Sequence, residues 1–362
     1  MKKGMIAILL CGACLLSGCG KFYNGSYSTV RPHVQPQTPA VPQTLTAKNM
    51  QELRSHIEKM IDAGKEEGVV YVDGYAQDQV QKDMEQICRQ IKLDYPVAAY
   101  AMEELSFELG KIDGHPALSL MIRYVRSRAD IIGIRTASNM DMAAQQICNA
   151  MARCDVSLVL RVNDYEERDY LQIVETYAME SPDLVMELPQ VSWEVYPKQG
   201  KSRVLELFFT YQTSRDALKS MQEQVKPVFA SAVLYVSGDA GQREKYAQLY
   251  SFLMERHEYQ YGTSITPTYS LLRHGVGDSR AFAVVYAAMC RQAELECIVV
   301  SGTKDGESHY WNIICRDDAY YHADLLSGRY WEWKDEQMAG YVWDYSAYPA
   351  CTDKPVAREP KN

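Results

Sequence analysis

The chain predicts an α+β protein, with helices packed on antiparallel sheets, and two observations carry that reading. Between residues 50 and 217 a unit of helix, strand, helix and hairpin occurs twice. From residue 220 onward, helical periodicity leads into a Gly-rich turn, a further helix and two strand-like segments split by a short turn. In the first unit the pattern gives a helix over Met50–Lys65, a strand over Val69–Tyr75, a helix over Gln77–Ile91 and a hairpin ending near Arg128. In the second it gives Met140–Arg153, Val156–Val162, Glu166–Tyr177 and a hairpin ending near Arg215. Pro96 and Pro182 lie 86 residues apart, and Tyr124 and Tyr211 lie 87 apart. Phe107 then matches Trp193, and Arg128 matches Arg215. The alternation of Leu105, Phe107 and Leu109, and of Val191, Trp193 and Val195, predicts one buried face per hairpin. Nothing in these units is catalytic in type: Asp73, Asp164, Arg128 and Arg215 are expected as turn residues and solvated strand ends.

The N-terminus is a targeting segment. Lys2 and Lys3 precede an apolar run from Met5 to Leu16, which is too short for a comfortable membrane span. Leu16-Ser17-Gly18-Cys19 resembles a bacterial lipoprotein cleavage site. The resemblance implies a signal over 1–18 and a lipid on Cys19, holding the protein at the extracytoplasmic face of a membrane. Residues 19–47 form a tether with Pro32, Pro36, Pro39 and Pro42 among polar residues, a composition that cannot bury a core. The α+β units are expected at 48–130 and 136–217, and a third domain at 220–362.

The 362 residues carry a formal net charge of −9, and no cluster of Lys or Arg marks a stripe, so nucleic acid is excluded as a partner. Seven of the ten cysteines lie beyond Cys19: Cys88, Cys148, Cys154, Cys290, Cys297, Cys315 and Cys351. None of these forms a C-x-x-C pair, so neither a zinc site nor a thioredoxin-like motif is expected. Cys88, Cys148 and Cys290 sit in helical apolar patterns as small buried hydrophobes.

The third domain holds the chemistry. A helix in 237–261 places Tyr246, Leu249, Tyr250 and Leu253 on one face; Tyr269-x-x-Leu272 follows, then HGVGDSRAFAVVYAAMCRQAEL, SHYWN and YYHADLL. On these motifs, about residues 222–333 resemble the transglutaminase-like superfamily, in which a cysteine at a helix start is followed by an H-x-W-N strand and a [YF]-H-x-D strand. Ser279 falls on the nucleophile position, Phe282 and Ala283 on the aromatic-Ala pair, His309 on the base and Asp324 on its orienting carboxylate. The resemblance implies a papain-like site on a helix packed against an antiparallel sheet.

Serine alters what this frame can do. A cysteine here works through a thiolate reached from a pKa of about 8.5 and lowered beside an imidazolium. A serine must lose its proton during attack, opposite an oxyanion hole shaped for that transition state. Cys290 cannot substitute, since it lies eleven residues along the same helix, about 16 Å away. Two functions therefore stand: a degenerate domain that binds a peptide, a glycan or a surface protein, or an acyl-transfer enzyme or hydrolase using Ser279, His309 and Asp324. Trp311, Asn312 and Tyr269 are the expected binding residues. His274 and His322 are expected at the periphery, ligand spacing supports no metal, and no cofactor is expected. Half of the aromatic residues between Tyr310 and Tyr348 are expected in the core, the rest on a surface suited to stacking.

Overall fold

A computed structural model describes residues 45–262, 264–328 and 332–352. The signal expected over 1–18, Cys19, the expected tether as far as residue 44 and the aromatic pair Tyr330 and Trp331 lie outside the described residues. The last three tether positions are corrected: the Ala47 N–H donates to the Tyr71 carbonyl, the Leu45 carbonyl accepts the Tyr71 N–H, and Ala47 is wholly buried in the first core. Those from Leu45 onward form one compact unit.

The first α+β layer comprises α1 (Met50–Asp62), β1 (Glu67–Tyr71), α2 (Gln77–Asp94), α3 (Pro96–Ala101), β2 (Met102–Ile112) and β3 (His115–Tyr124). The strands form an antiparallel sheet in the order β1-β3-β2. Helix α1 starts where Asn49 accepts the Glu52 N–H, and it turns Leu53, Ile57, Met60 and Ile61 inward. Its core is completed by Met84, Ile87 and Ile91 of α2 and by Leu118 and Leu120 of β3.

After α4 (Arg128–Ile132), the second layer comprises β4 (Arg135–Asn139), α5 (Met140–Ala152), β5 (Ser157–Asp164), α6 (Tyr170–Glu180), β6 (Gln190–Tyr196) and β7 (Arg203–Thr210). Its order is β4-β5-β7-β6, so β5-β7-β6 repeats β1-β3-β2, with an extra parallel strand at the edge. The registers also correspond. Leu105 faces Ile122 as Val191 faces Phe209, and Phe107 faces Leu120 as Trp193 faces Leu207. Asn139 caps α5 as Asn49 caps α1.

Several expectations change here. Arg128 and Arg215 are not strand ends. Each opens a helix behind a capping serine, and each Nε donates to the carbonyl that closes an earlier helix, Ala63 or Arg153, at 3.2 Å. Trp193 is 38% exposed and meets Tyr170 edge-on, so the second hairpin leaves its largest side chain half in water. Cys88 and Cys148 are only half-buried, and all seven described cysteines are free.

Helix α7 (Arg215–Tyr235) crosses the expected boundary at 217–220, so the third domain grows from the second layer without a break. Cys154 and Met186 of the second layer share a core with Phe229 of α7 and Phe282. Then come α8 (Gln242–Met254), the short β8 (Glu258–Tyr259), a turn of α9 (Pro267–Tyr269) continued as one π turn (Ser270–His274), β9 (Val276–Gly277) and α10 (Ser279–Gln292). The last sheet holds β10 (Cys297–Lys304), β11 (Glu307–Arg316), β12 (Ala319–Ala323) and β13 (Tyr341–Trp343), in the order β12-β11-β10-β13, antiparallel throughout. Helix α10 lies across it, with the side chains from Ala281 to Cys290 all buried. No described helix is long and apolar enough to cross a membrane.

Candidate active site

The turn into α10 is set by two glycines. Gly275 has φ +79°, the left-handed region that a side chain disfavours. At Gly277 a Cβ would lie 3.0 Å from the Ala281 Cβ and 3.1 Å from Leu271 Cδ1. Asp278 then caps the helix by accepting the Ala281 N–H at 2.9 Å. Ser279 is therefore held at the first helical position, where the helix dipole favours negative charge. It is 7% exposed, and its Oγ accepts the Tyr310 N–H at 3.2 Å. Among the described residues it makes no hydrogen bond to His309.

His309 and Asp324 form a close pair. His309 Nε2 lies 3.0 Å from Asp324 Oδ2, His309 on β11 and Asp324 one residue past the end of β12. Asp324 is 1% exposed and accepts three further bonds: Tyr341 Oη at 2.6 Å, Lys304 Nζ at 3.1 Å and the Leu326 N–H at 2.9 Å. Burial pushes this carboxyl up, but the bonds from His309, Tyr341 and Leu326 outweigh it and hold its pKa down to about 2. An ionised carboxylate only accepts, so the imidazole donates through Nε2 and turns Nδ1 away from Asp324. Tyr341 is pushed well above its ordinary range, first by burial and then by donating to Asp324. The His309 ring stacks on Trp311 with centroids 6.2 Å apart and meets the Tyr341 edge at 5.9 Å.

His309 lines a cleft of about 570 Å³ with Tyr250, Tyr259, Tyr261, Lys304 and Glu307. Tyr259 and Tyr261 are 51% and 79% exposed at its mouth. Ser279 does not line it. The helix start thus lies beside the base, while its hydroxyl faces β11.

The expected binding residues are corrected. Trp311 and Asn312 have no exposed surface. Asn312 ties β11 to α10 by donating to the Ala283 carbonyl at 2.9 Å, and Trp311 packs between His309 and Trp343. Tyr269 is half-buried, away from the cleft, and donates to Gln224 at 3.0 Å. The strand pattern of SHYWN placed Trp311 and Asn312 on a strand but did not say that both of its faces are covered.

His322 is not peripheral but wholly buried. Its Nδ1 accepts from Trp311 Nε1 at 3.0 Å, and its Nε2 lies 2.9 Å from Asp335 Oδ1. Cys351 completes a group whose ligand-type atoms lie within 4.8 Å of one another. Since indole N–H only donates, Nδ1 is the acceptor and Nε2 carries the proton, which leaves no lone pair for a metal. Lys304 and Tyr341, which hold Asp324, were missed. Nothing local marks Tyr341; Lys304 was findable, since β10 must pair with the His309 strand and its end faces Glu307.

Residues 231–325 match the model of the transglutaminase-like superfamily. This stretch, about a quarter of the chain, forms a transglutaminase-like domain of mixed α+β structure. No curated protein sequence matches the chain. Three solved structures are similar at low identity. A TGase is 10% identical, covering 60% of this chain and 63% of its own, with TM-score 0.27. A candidate cysteine protease from Cytophaga hutchinsonii is 12% identical over 43% of this chain and 65% of its own, with TM-score 0.28. A candidate protease from Parabacteroides distasonis is 10% identical over 60% of this chain and 35% of its own, with TM-score 0.23. The chain spans less than two thirds of each of these structures.

Proposed function

We propose that this chain is a lipid-anchored extracytoplasmic protein whose transglutaminase-like domain has lost acyl transfer and holds a peptide or glycan in the His309 cleft. One observation carries the reading: the Ser279 hydroxyl accepts from the Tyr310 N–H, has no bond to His309 and does not line the cleft. A serine nucleophile needs a base within hydrogen-bond reach to take its proton during attack. The exposed Tyr259 and Tyr261 offer stacking faces at the mouth, beside Glu307 and Ser308 for polar contact. The matched strand order and registers support reading the two α+β layers as copies of one unit, which space the domain from the membrane beyond Cys19.

The test is a panel of cell-wall-derived peptides and glycans titrated against the wild type, Tyr259→Ala and Ser279→Ala. Binding that is weakened by Tyr259→Ala and retained in Ser279→Ala is expected. Turnover of any panel member that disappears in Ser279→Ala contradicts the proposal and establishes the rival, a working Ser279-His309-Asp324 triad, for which the retained His309–Asp324 pair speaks.

A further inference from the structure

A second cavity flanks the start of α10, on the side of the second α+β layer. Its volume is about 240 Å³, room for a small organic molecule. It is separate from the His309 cleft: the two share no lining residue. Val185 and Leu188, from the segment between α6 and β6, meet Ile265 and Val284 as its apolar walls. Two groups in it lack a hydrogen-bond or ion-pair partner among the described residues. Arg280 has no carboxylate within ion-pairing distance among the described residues, and its only charge-related contact is with the Tyr310 ring, 5.7 Å from its guanidinium carbon. Arginine in the first turn of a helix is also opposed by the dipole, so nothing local favours it there. Thr268 is 3% exposed, yet its hydroxyl has no hydrogen bond among the described residues and is not sealed from the cavity. A hydroxyl so buried ordinarily finds a partner. The acidic side chains of the lining and Ser264 are engaged: Glu187 accepts the Gln212 and Thr213 N–H groups, Asp278 accepts the Ala281 N–H as the cap of α10, and the Ser264 hydroxyl bonds to Thr266. Arg280 is thus the one cation facing two carboxylates in the lining, among the described residues.

We propose that this cavity binds a carboxylate carried on a small aliphatic body, with Arg280 and Thr268 as donors and the Val185–Leu188 wall covering the apolar part. Both unpartnered groups can donate, arginine presents a fork matched to a carboxylate, and the walls are aliphatic. The chemistry fits a free aliphatic amino acid derivative or the C-terminal residue of a peptide. The site does not depend on what the His309 cleft binds.

The experiment uses the full chain, with N-acetyl-valine, N-acetyl-valine amide and a short peptide ending in valine as probes, followed by calorimetry. N-acetyl-valine is expected to bind in the millimolar range and the amide about tenfold or more weaker, the worth of one charged hydrogen bond. The peptide separates the sources: binding tighter than that of the free acid indicates a C-terminus, weaker binding a free acid. Arg280→Gln and Thr268→Val should each weaken acid binding while His309→Ala leaves it unchanged, all three checked for an unaltered melting transition. Equal affinity for acid and amide, unchanged affinity in Arg280→Gln, or no binding of any probe would overturn the proposal.

Discussion

At the scale of single residues, the sharpest feature is the crowding on Asp324, where one carboxylate holds an imidazole, an ammonium, a phenol and a backbone N–H. Its pKa falls from 3.8 to about 2, so it stabilises the fold above its unfolded value, and that stabilisation is lost as pH falls from about 3.8 through about 2. The shift corresponds to about 2 kcal/mol. Asp324→Asn should remove that part of the acid dependence, flattening stability between pH 4 and pH 2 relative to wild type. Parallel acid slopes for the two proteins would show that the carboxylate is not held as described. Ser279→Cys should place a thiol at the helix start, where the dipole favours the thiolate and lowers its pKa. Cys290 on the same helix is wholly buried, and burial pushes its thiol far up. The new thiol should therefore alkylate faster than Cys290 in a timed iodoacetamide experiment; a slower rate would contradict a thiolate stabilised by the helix start. The triad positions were legible because the family frame fixes their order. The burial of Trp311, Asn312 and His322 was not, because a strand sequence does not say which face the helix covers.

At the scale of elements, α10 decides where the site stands. Its entry depends on Gly277, whose neighbours at 3.0 and 3.1 Å would have to shift to admit a methyl group. Gly277→Ala should cost about 1–3 kcal/mol in urea unfolding, the usual range for overpacking; a loss below about 0.5 kcal/mol would show that the Leu271 side chain yields freely. Helices with apolar faces were placed to within a few residues: Met50–Lys65 was expected and α1 is Met50–Asp62, Met140–Arg153 was expected and α5 is Met140–Ala152. Weakly patterned elements were missed. Strand β4 has one buried residue in five, and α3 and α4 are too short to show helical periodicity.

At the scale of the whole molecule, the layers are joined by contacts no sequence pattern marks. Glu206 of β7 is 4% exposed, yet it pairs with Arg126 at 2.7 Å and accepts from Tyr100 at 3.4 Å, both from the first layer. Burial raises its pKa, with Arg126 opposing. Arg126→Ala leaves that carboxylate without its cation and should destabilise by about 3 kcal/mol at neutral pH, less so in acid, where Glu206 takes a proton. Equal destabilisation at pH 4 and pH 8, followed by thermal unfolding, would rule out a charge at this seam. The 86–87-residue offsets are those of the matching registers of β2-β3 and β6-β7, whereas the union with the third domain through α7 left no mark, because α7 runs through the expected linker. The account turns on whether the site at the end of this assembly still performs chemistry. The most direct measurement is labelling of the folded wild type with a serine-directed fluorophosphonate, with Ser279→Ala and His309→Ala as controls. The account predicts no labelling above the Ser279→Ala background; labelling of Ser279 that disappears in His309→Ala would contradict it and establish a working serine nucleophile.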